Sequence, residues 1–191
     1  MDYRGYRNTK FITIWILLGI NTLVFLISLF IRDIPIIFGL KPAYWVTEPW
    51  TLLTSIFVHG GLWHILANML TLYFFGRYLI LLLGELWFSV IYFAGGLTGS
   101  LLFALLASPI SIGVGASGAI FALGGVLTAM RPKLRVFIFP IPVPIPLWAA
   151  ILGGFVLLSF MPGIAWQAHL GGLILGLVAG IIFRQRERRF F

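Results

Sequence analysis

Gly115-Ala116-Ser117-Gly118 lies inside one apolar stretch of the chain, and Ala168-His169-Leu170-Gly171-Gly172 lies inside another. A hydroxyl or an imidazole placed in hydrocarbon loses its water partners, so it is costly to keep there. A serine flanked by small residues and a histidine beside glycines, each near the start of its own hydrophobic segment, read as a nucleophile and a base. Whether the two meet depends on how the apolar segments are arranged.

The chain has 191 residues, of which 61% are hydrophobic and only 9% charged, with a mean hydropathy of +1.08. Ordinary soluble domains carry about 25% charge, so this composition marks an integral membrane protein. Crossing ~30 Å of hydrocarbon takes ~20 residues. Six stretches approach that length, roughly 11–31, 56–83, 86–107, 110–130, 146–161 and 164–183, with the fifth the shortest. The first is too long for a signal peptide and has no small-residue cleavage site, so it reads as a retained anchor. One domain over 1–191 is the natural expectation at this length. There are no cysteines, which excludes disulfides, thiol nucleophiles and cysteine metal sites.

The net charge of +8 follows from placement. Arg4, Arg7 and Lys10 precede span one, Arg77 lies near the end of span two, Arg131, Lys133 and Arg135 follow span four, and Arg184, Arg186, Arg188 and Arg189 follow span six. In a six-span layout these 11 of the 13 basic residues share one side, and only Arg32 and Lys41 fall on the other. The positive-inside rule puts both termini in the cytosol. Binding to nucleic acid is rejected, because no soluble segment carries a basic patch.

The outer connection, roughly 32–55, holds Pro35, Pro42, Pro49, Trp45 and Trp50 and reads as an interfacial loop with aromatics at headgroup level. The alternating prolines from Pro140 to Pro146 cannot form helix and read as a stiff connector. No internal repeat points to a transporter. Gly172, Gly176 and Gly180 recur on one face of span six, and Gly118, Ala122 and Gly125 form a similar stripe in span four. Small stripes let helix backbones approach closely. His169 shares the face of Gly172, so packing through the stripes carries it towards span four.

Span two adds His64 and Asn68, four apart on one helix face. Acyl transfer needs a nucleophile with a neighbouring base and fixed donors for the developing oxyanion. Ser117 and His169 supply the first two. The backbone N–H groups at Ser117, with side-chain donors from His64 and Asn68, supply the third. Asp2, Asp33, Glu48, Glu85 and Glu187 are the only acids, all outside or at the ends of the spans. The arrangement is therefore a Ser–His dyad. An aspartyl intramembrane protease lacks its two buried carboxylates, and no His-Glu-x-x-His motif supports zinc. No cofactor is implied.

These residues resemble the rhomboid family of intramembrane serine proteases. The segment from His59 to Met69 resembles the family's second-span motif, Gly115-Ala116-Ser117-Gly118 its GxSG motif, and Ala168-His169 with Gly172 and Gly176 its AHxxGxxxG motif. The similarity covers nearly the whole chain. It implies an all-α membrane protein, a six-transmembrane-helix rhomboid-like bundle, with a water-accessible site open to the non-cytosolic side of what is expected to be a prokaryotic cell membrane. It implies Ser117 as nucleophile and His169 as base. It implies His64, Asn68 and the Ser117 N–H as oxyanion donors, Gly115 as the turn before the serine, and His59 as structural. The implied partners are single-span transmembrane substrates and the lipid bilayer. Three positions depart from the family pattern. Phe121 stands where many members carry a tyrosine stacked on the catalytic histidine. Thr51 follows Trp50 where an arginine is common. Ile80 replaces a glutamate four residues after Gly76. Two other classes fit these residues less well. An inactive relative that binds transmembrane helices would typically lack the serine or the histidine, and both are present. A transporter or channel would need charged groups near the midplane, which the spans lack.

Overall fold

The computed structural model describes residues 11–137 and 143–189. Arg4, Arg7, Lys10 and the Pro140–Pro142 part of the proline run lie outside the described residues, as do the side chains of Glu187, Arg188 and Arg189. In chain order the helices are α1 (Ile12–Phe30), α2 (Ile34–Phe38), α3 (Thr51–Thr54), α4 (Leu62–Leu83), α5 (Glu85–Leu106), α6 (Ser117–Met130), α7 (Leu147–Ser159) and α8 (Trp166–Arg189). A 3-10 turn, Ser55–Phe57, follows α3. Strands β1 (Arg135–Val136) and β2 (Ile145–Pro146) form a short antiparallel ribbon between α6 and α7.

Each of the six apolar stretches contains a helix, with revised boundaries, but two of these helices are short. The second helix starts at Leu62 rather than 56, because the 3-10 turn and the loop through His59 and Gly60 come first. The fourth starts at Ser117 rather than 110. Leu40 and Gly113 exchange both backbone hydrogen bonds, at 2.9 and 2.8 Å, and hold the preceding segment extended. The sixth runs past 183 to Arg189, since its tail of Arg, Gln and Glu favours helix. Among the described residues four helices are long and apolar enough to cross a membrane: α1, α4, α5 and the Trp166–Arg186 part of α8. At 14 and 13 residues, α6 and α7 reach only ~20 Å at 1.5 Å per residue. The outer connection is not a plain loop: it contains α2 and α3, braced by a Lys41–Glu48 ion pair of 3.1 Å.

Trp15, Leu23, Leu70, Phe74, Leu105, Val178 and many other large apolar side chains face outward. Apolar surface on this scale suits hydrocarbon rather than water. Glu85, at the start of α5, ties α1 to the bundle: its carboxylate accepts the Ile12 N–H at 3.1 Å and the Thr13 hydroxyl at 2.7 Å.

The centre is α6, buried along almost its whole length. A helix apolar all round belongs inside, and α8 and α5 are its main neighbours. A Cβ on Gly172 would fall on the Gly118 carbonyl oxygen, one on Gly176 on the Ala122 carbonyl oxygen, and one on Gly180 would lie 2.7 Å from the Val126 carbonyl oxygen. These three pairs keep one offset along both helices, so α6 and α8 run parallel, backbone against backbone. Gly99 of α5 closes the same layer, since a Cβ there would lie 2.6 Å from the Ala168 carbonyl oxygen.

Overpacking such a contact costs about 1–3 kcal/mol. Gly176→Ala is expected to lower the Tm of the detergent-solubilised protein. Gly19→Ala, where a Cβ meets nothing within 4 Å, is expected to leave it unchanged or slightly raised. Equal Tm values for the two variants contradict the close α6–α8 approach.

Candidate active site

Ser117 is the first residue of α6. The chain reaches it through Gly115, whose φ of +120° is one that L side chains rarely adopt. The Gly115 N–H donates to the Ser55 carbonyl at 2.9 Å, which anchors this turn on the 3-10 segment. The first N–H groups of a helix have no partner inside it, and those of Ser117 and Gly118 find no backbone carbonyl elsewhere among the described residues. Such open donors, at the positive end of the helix dipole, favour an anion.

Because α6 and α8 run parallel, their N-terminal turns lie side by side. His169 is in the first turn of α8 and is buried. Its Nε2 lies 2.8 Å from the Ser117 Oγ. For the hydroxyl to donate, Nε2 must carry the lone pair and Nδ1 the proton. The buried Nδ1 has no hydrogen-bond partner among the described residues, so no carboxylate orients the ring. Ring stacking takes that place. Phe121, one turn along α6, lies 4.5 Å from the imidazole centroid at an interplanar angle of 28°. Phe155 of α7 meets Phe121 edge-on at 6.2 Å and 82°.

His64 and Asn68 lie on the first turns of α4. The Asn68 side-chain amide donates to the His64 carbonyl at 2.8 Å, which uses one of its two N–H donors. The Gly60 N–H makes a long bond of 3.4 Å to the His64 Nδ1. That bond leaves Nε2 as the protonated, donating nitrogen. The Nε2 edge lies against Gly115: a Cβ there would sit 2.7 Å from His64 Nε2 and Cε1 and 3.8 Å from the Ser117 Oγ. Gly115 thus serves twice, allowing the positive φ and clearing space for the imidazole. His59, in the loop before α4, is buried and packs edge-on against His64 at 5.0 Å. Burial first, and the neighbouring His64 second, hold the His59 imidazole down at about 4, so it is neutral at neutral pH.

The structure therefore draws Ser117, His169, Phe121, Gly115 and His64 together at one end of the bundle, with Asn68 a turn below His64. Among the described residues no group of three or more His, Cys, Asp or Glu could hold a metal ion. At the positions that depart from the family pattern, Thr51 is buried with its hydroxyl donating to the Glu48 carbonyl at 2.6 Å, and Ile80 joins the apolar core. Sequence reasoning missed three supports: the Ser55 carbonyl, the Phe155 edge contact, and the clearance Gly115 gives His64. The first two depend on tertiary contacts that no local pattern signals. The third was within reach, since a glycine two residues before a candidate nucleophile can answer a crowding neighbour as well as a turn.

A family model described as the Rhomboid domain matches residues 46–186. The chain is 35% identical over 139 residues to RHOMBOID-like protein 4 of Arabidopsis thaliana, covering 71% of this chain and 34% of that protein. It is 33% identical over 146 residues to YdcA of Bacillus subtilis, which is named as a candidate rhomboid protease, covering 75% of this chain and 72% of YdcA. It is also 36% identical over 129 residues to a protein named Inactive RHOMBOID-like protein 8 of Arabidopsis thaliana, covering 66% of this chain and 36% of that relative. Against the plant and yeast relatives the chain spans between about a third and just under half of their length.

Gly115→Ala is expected to lower the Tm by the cost of its clash with His64 and of its strained φ. In a His64→Ala background the clash is gone, so the same substitution should cost less, with a coupling of about 0.5–3 kcal/mol. Strictly additive losses in the double-mutant cycle contradict the assigned contact.

Proposed function

The chain belongs to the rhomboid family, and we propose that it is an intramembrane serine protease, an endopeptidase that hydrolyses peptide bonds in or near the transmembrane segments of single-span membrane proteins. The observation that carries this reading is the 2.8 Å approach of His169 Nε2 to the Ser117 Oγ. Ser117 attacks the scissile carbonyl carbon while its proton passes to His169 Nε2. The carbonyl oxygen, now an anion, is held by the Ser117 N–H and by donors from His64 and Asn68. Collapse of this intermediate breaks the C–N bond, and His169 returns the proton to the leaving amine. Water, deprotonated in turn by His169, then attacks the acyl-enzyme carbonyl and frees Ser117. Phe121 keeps the imidazole, whose Nδ1 has no hydrogen-bond partner among the described residues, in register by stacking.

In this reading residues 1–191 act as one rhomboid-type unit, and α6 and α7 complete six crossings. The distribution of basic residues favours both termini in the cytosol, with the Ser117 end of the bundle open to the outside. A prokaryotic cell membrane fits the match to a Bacillus protein over 72% of its own length. A second reading has support from the relative named inactive: a protein that binds transmembrane helices without cutting them. The presence of both Ser117 and His169 favours the enzyme.

The test uses the full chain, purified in detergent, with a single-span substrate. Ser117→Ala is expected to cut cleavage by at least about a thousandfold. Equal cleavage by variant and wild type ends the proposal, and an inert wild type favours the binding protein. Oxyanion donors act mainly in the transition state, so His64→Ala and Asn68→Ala are expected to lower kcat on the order of 10²–10³-fold with KM little changed. A higher KM at unchanged kcat argues against that role.

A further inference from the structure

The opposite end of the bundle carries a recess that the hydrolytic reading does not use. It is a cavity of about 470 Å³ between the C-terminal parts of α4, α6 and α8, lined by Tyr78, Met130, Arg131, Lys133, Leu134 and Arg184 among others. Its position at these helix ends is headgroup level for a membrane-spanning bundle. Tyr78, a residue type typical of the interface, stands at one wall, and Met130 and Leu134 add apolar surface.

Two arginines are held at this recess by the α6 C-terminus. Arg184 donates to the Ala129 carbonyl at 3.3 Å and Arg131 to the Met130 carbonyl at 3.1 Å. Capping the last carbonyls is an ordinary task for arginine, but it does not account for the charge gathered here. A helix C-terminus presents only about half a negative charge, whereas Lys133 and Arg184 alone bring two positive ones. The Arg184 bond uses one of the five N–H donors on a guanidinium. No carboxylate lines the cavity among the described residues. Glu85, the acid at this end of the bundle among the described side chains, is spent on the N-terminus of α1.

A recess with surplus positive charge, forked donors and an apolar floor at the membrane surface suits a phosphate ester with attached hydrocarbon. We propose that this cavity is a binding site for the phosphate of an anionic phospholipid headgroup, with Lys133 and Arg184 as its principal cations. Lysine acts there as a point charge and arginine as a directional fork. Basic pockets between transmembrane helices recognise acidic headgroups on this basis. The site does not depend on the Ser117 chemistry.

Native mass spectrometry of the full chain in neutral detergent, with equal phosphatidylglycerol and phosphatidylcholine, tests it. The wild type is expected to retain phosphatidylglycerol in preference. Lys133→Gln and Arg184→Gln are each expected to lower that preference about fivefold, the effect of one basic residue near an acidic headgroup. Arg186→Gln removes an exposed charge at the same end that does not line the cavity, and is expected to change it far less. Arg184→Gln also disturbs the bond to Ala129, so Lys133→Gln decides the matter if that variant misfolds. Equal retention of the two lipids overturns the proposal. So does an Arg186→Gln loss as large as that of Lys133→Gln, which would indicate diffuse charge. Displacement of the lipid by millimolar inorganic phosphate, with no lipid preference left, would assign the cavity to a soluble phosphate and overturn the lipid assignment.

Discussion

The direct contact between the backbones of α6 and α8 is the constraint on which the rest of the structure depends. Helices in lipid gain little from apolar burial against one another, so close packing must supply the attraction. Here Gly172 and Gly176 lie against the carbonyls of Gly118 and Ala122, with no side chain between. The matched spacing fixes the two helices parallel and in register. Their first turns are thereby level, and a serine at the start of one helix stands within hydrogen-bond distance of a histidine in the first turn of the other. The juxtaposition is a product of packing rather than of any local motif.

That geometry also explains how two polar groups persist in an apolar bundle. Each is the other's hydrogen-bond partner, which offsets the desolvation that either would suffer alone. A third, acidic member would bring a buried charge into low dielectric, where an unpaired ion is costly. The protein orients its imidazole with rings instead: Phe121 on the face, Phe155 on Phe121. Gly115 then couples the serine turn to His64, so Ser117, His169 and His64 are positioned by neighbouring glycines and aromatics.

Much of this was legible in the sequence. Composition and apolar length pointed to the helical membrane class and to where the longer helices lie, though among the described residues only four of the six expected spans are long and apolar enough to cross a membrane. The glycine spacing in 172–180 already pointed at span four. Serine, histidine and asparagine stood out because hydrocarbon makes each costly. Helix boundaries were less legible. The segment 110–116 is apolar enough to continue a span, but its pairing with Leu40 is a long-range backbone contact that hydropathy does not register. The outer connection hid α2 and α3 because neither is long enough to show a helical period. The paired functions of Gly115, and the support from Ser55 and Phe155, arise only when distant segments meet.

The central claim is that α6 and α8 hold the Ser117 hydroxyl against the His169 imidazole, which activates it. The most direct test is covalent labelling of the intact protein with a fluorophosphonate, with the adduct located by mass spectrometry. The account predicts one adduct, on Ser117, that is lost or sharply slowed in His169→Ala. No adduct on Ser117 in the wild type, or an adduct that forms undiminished without His169, would contradict it.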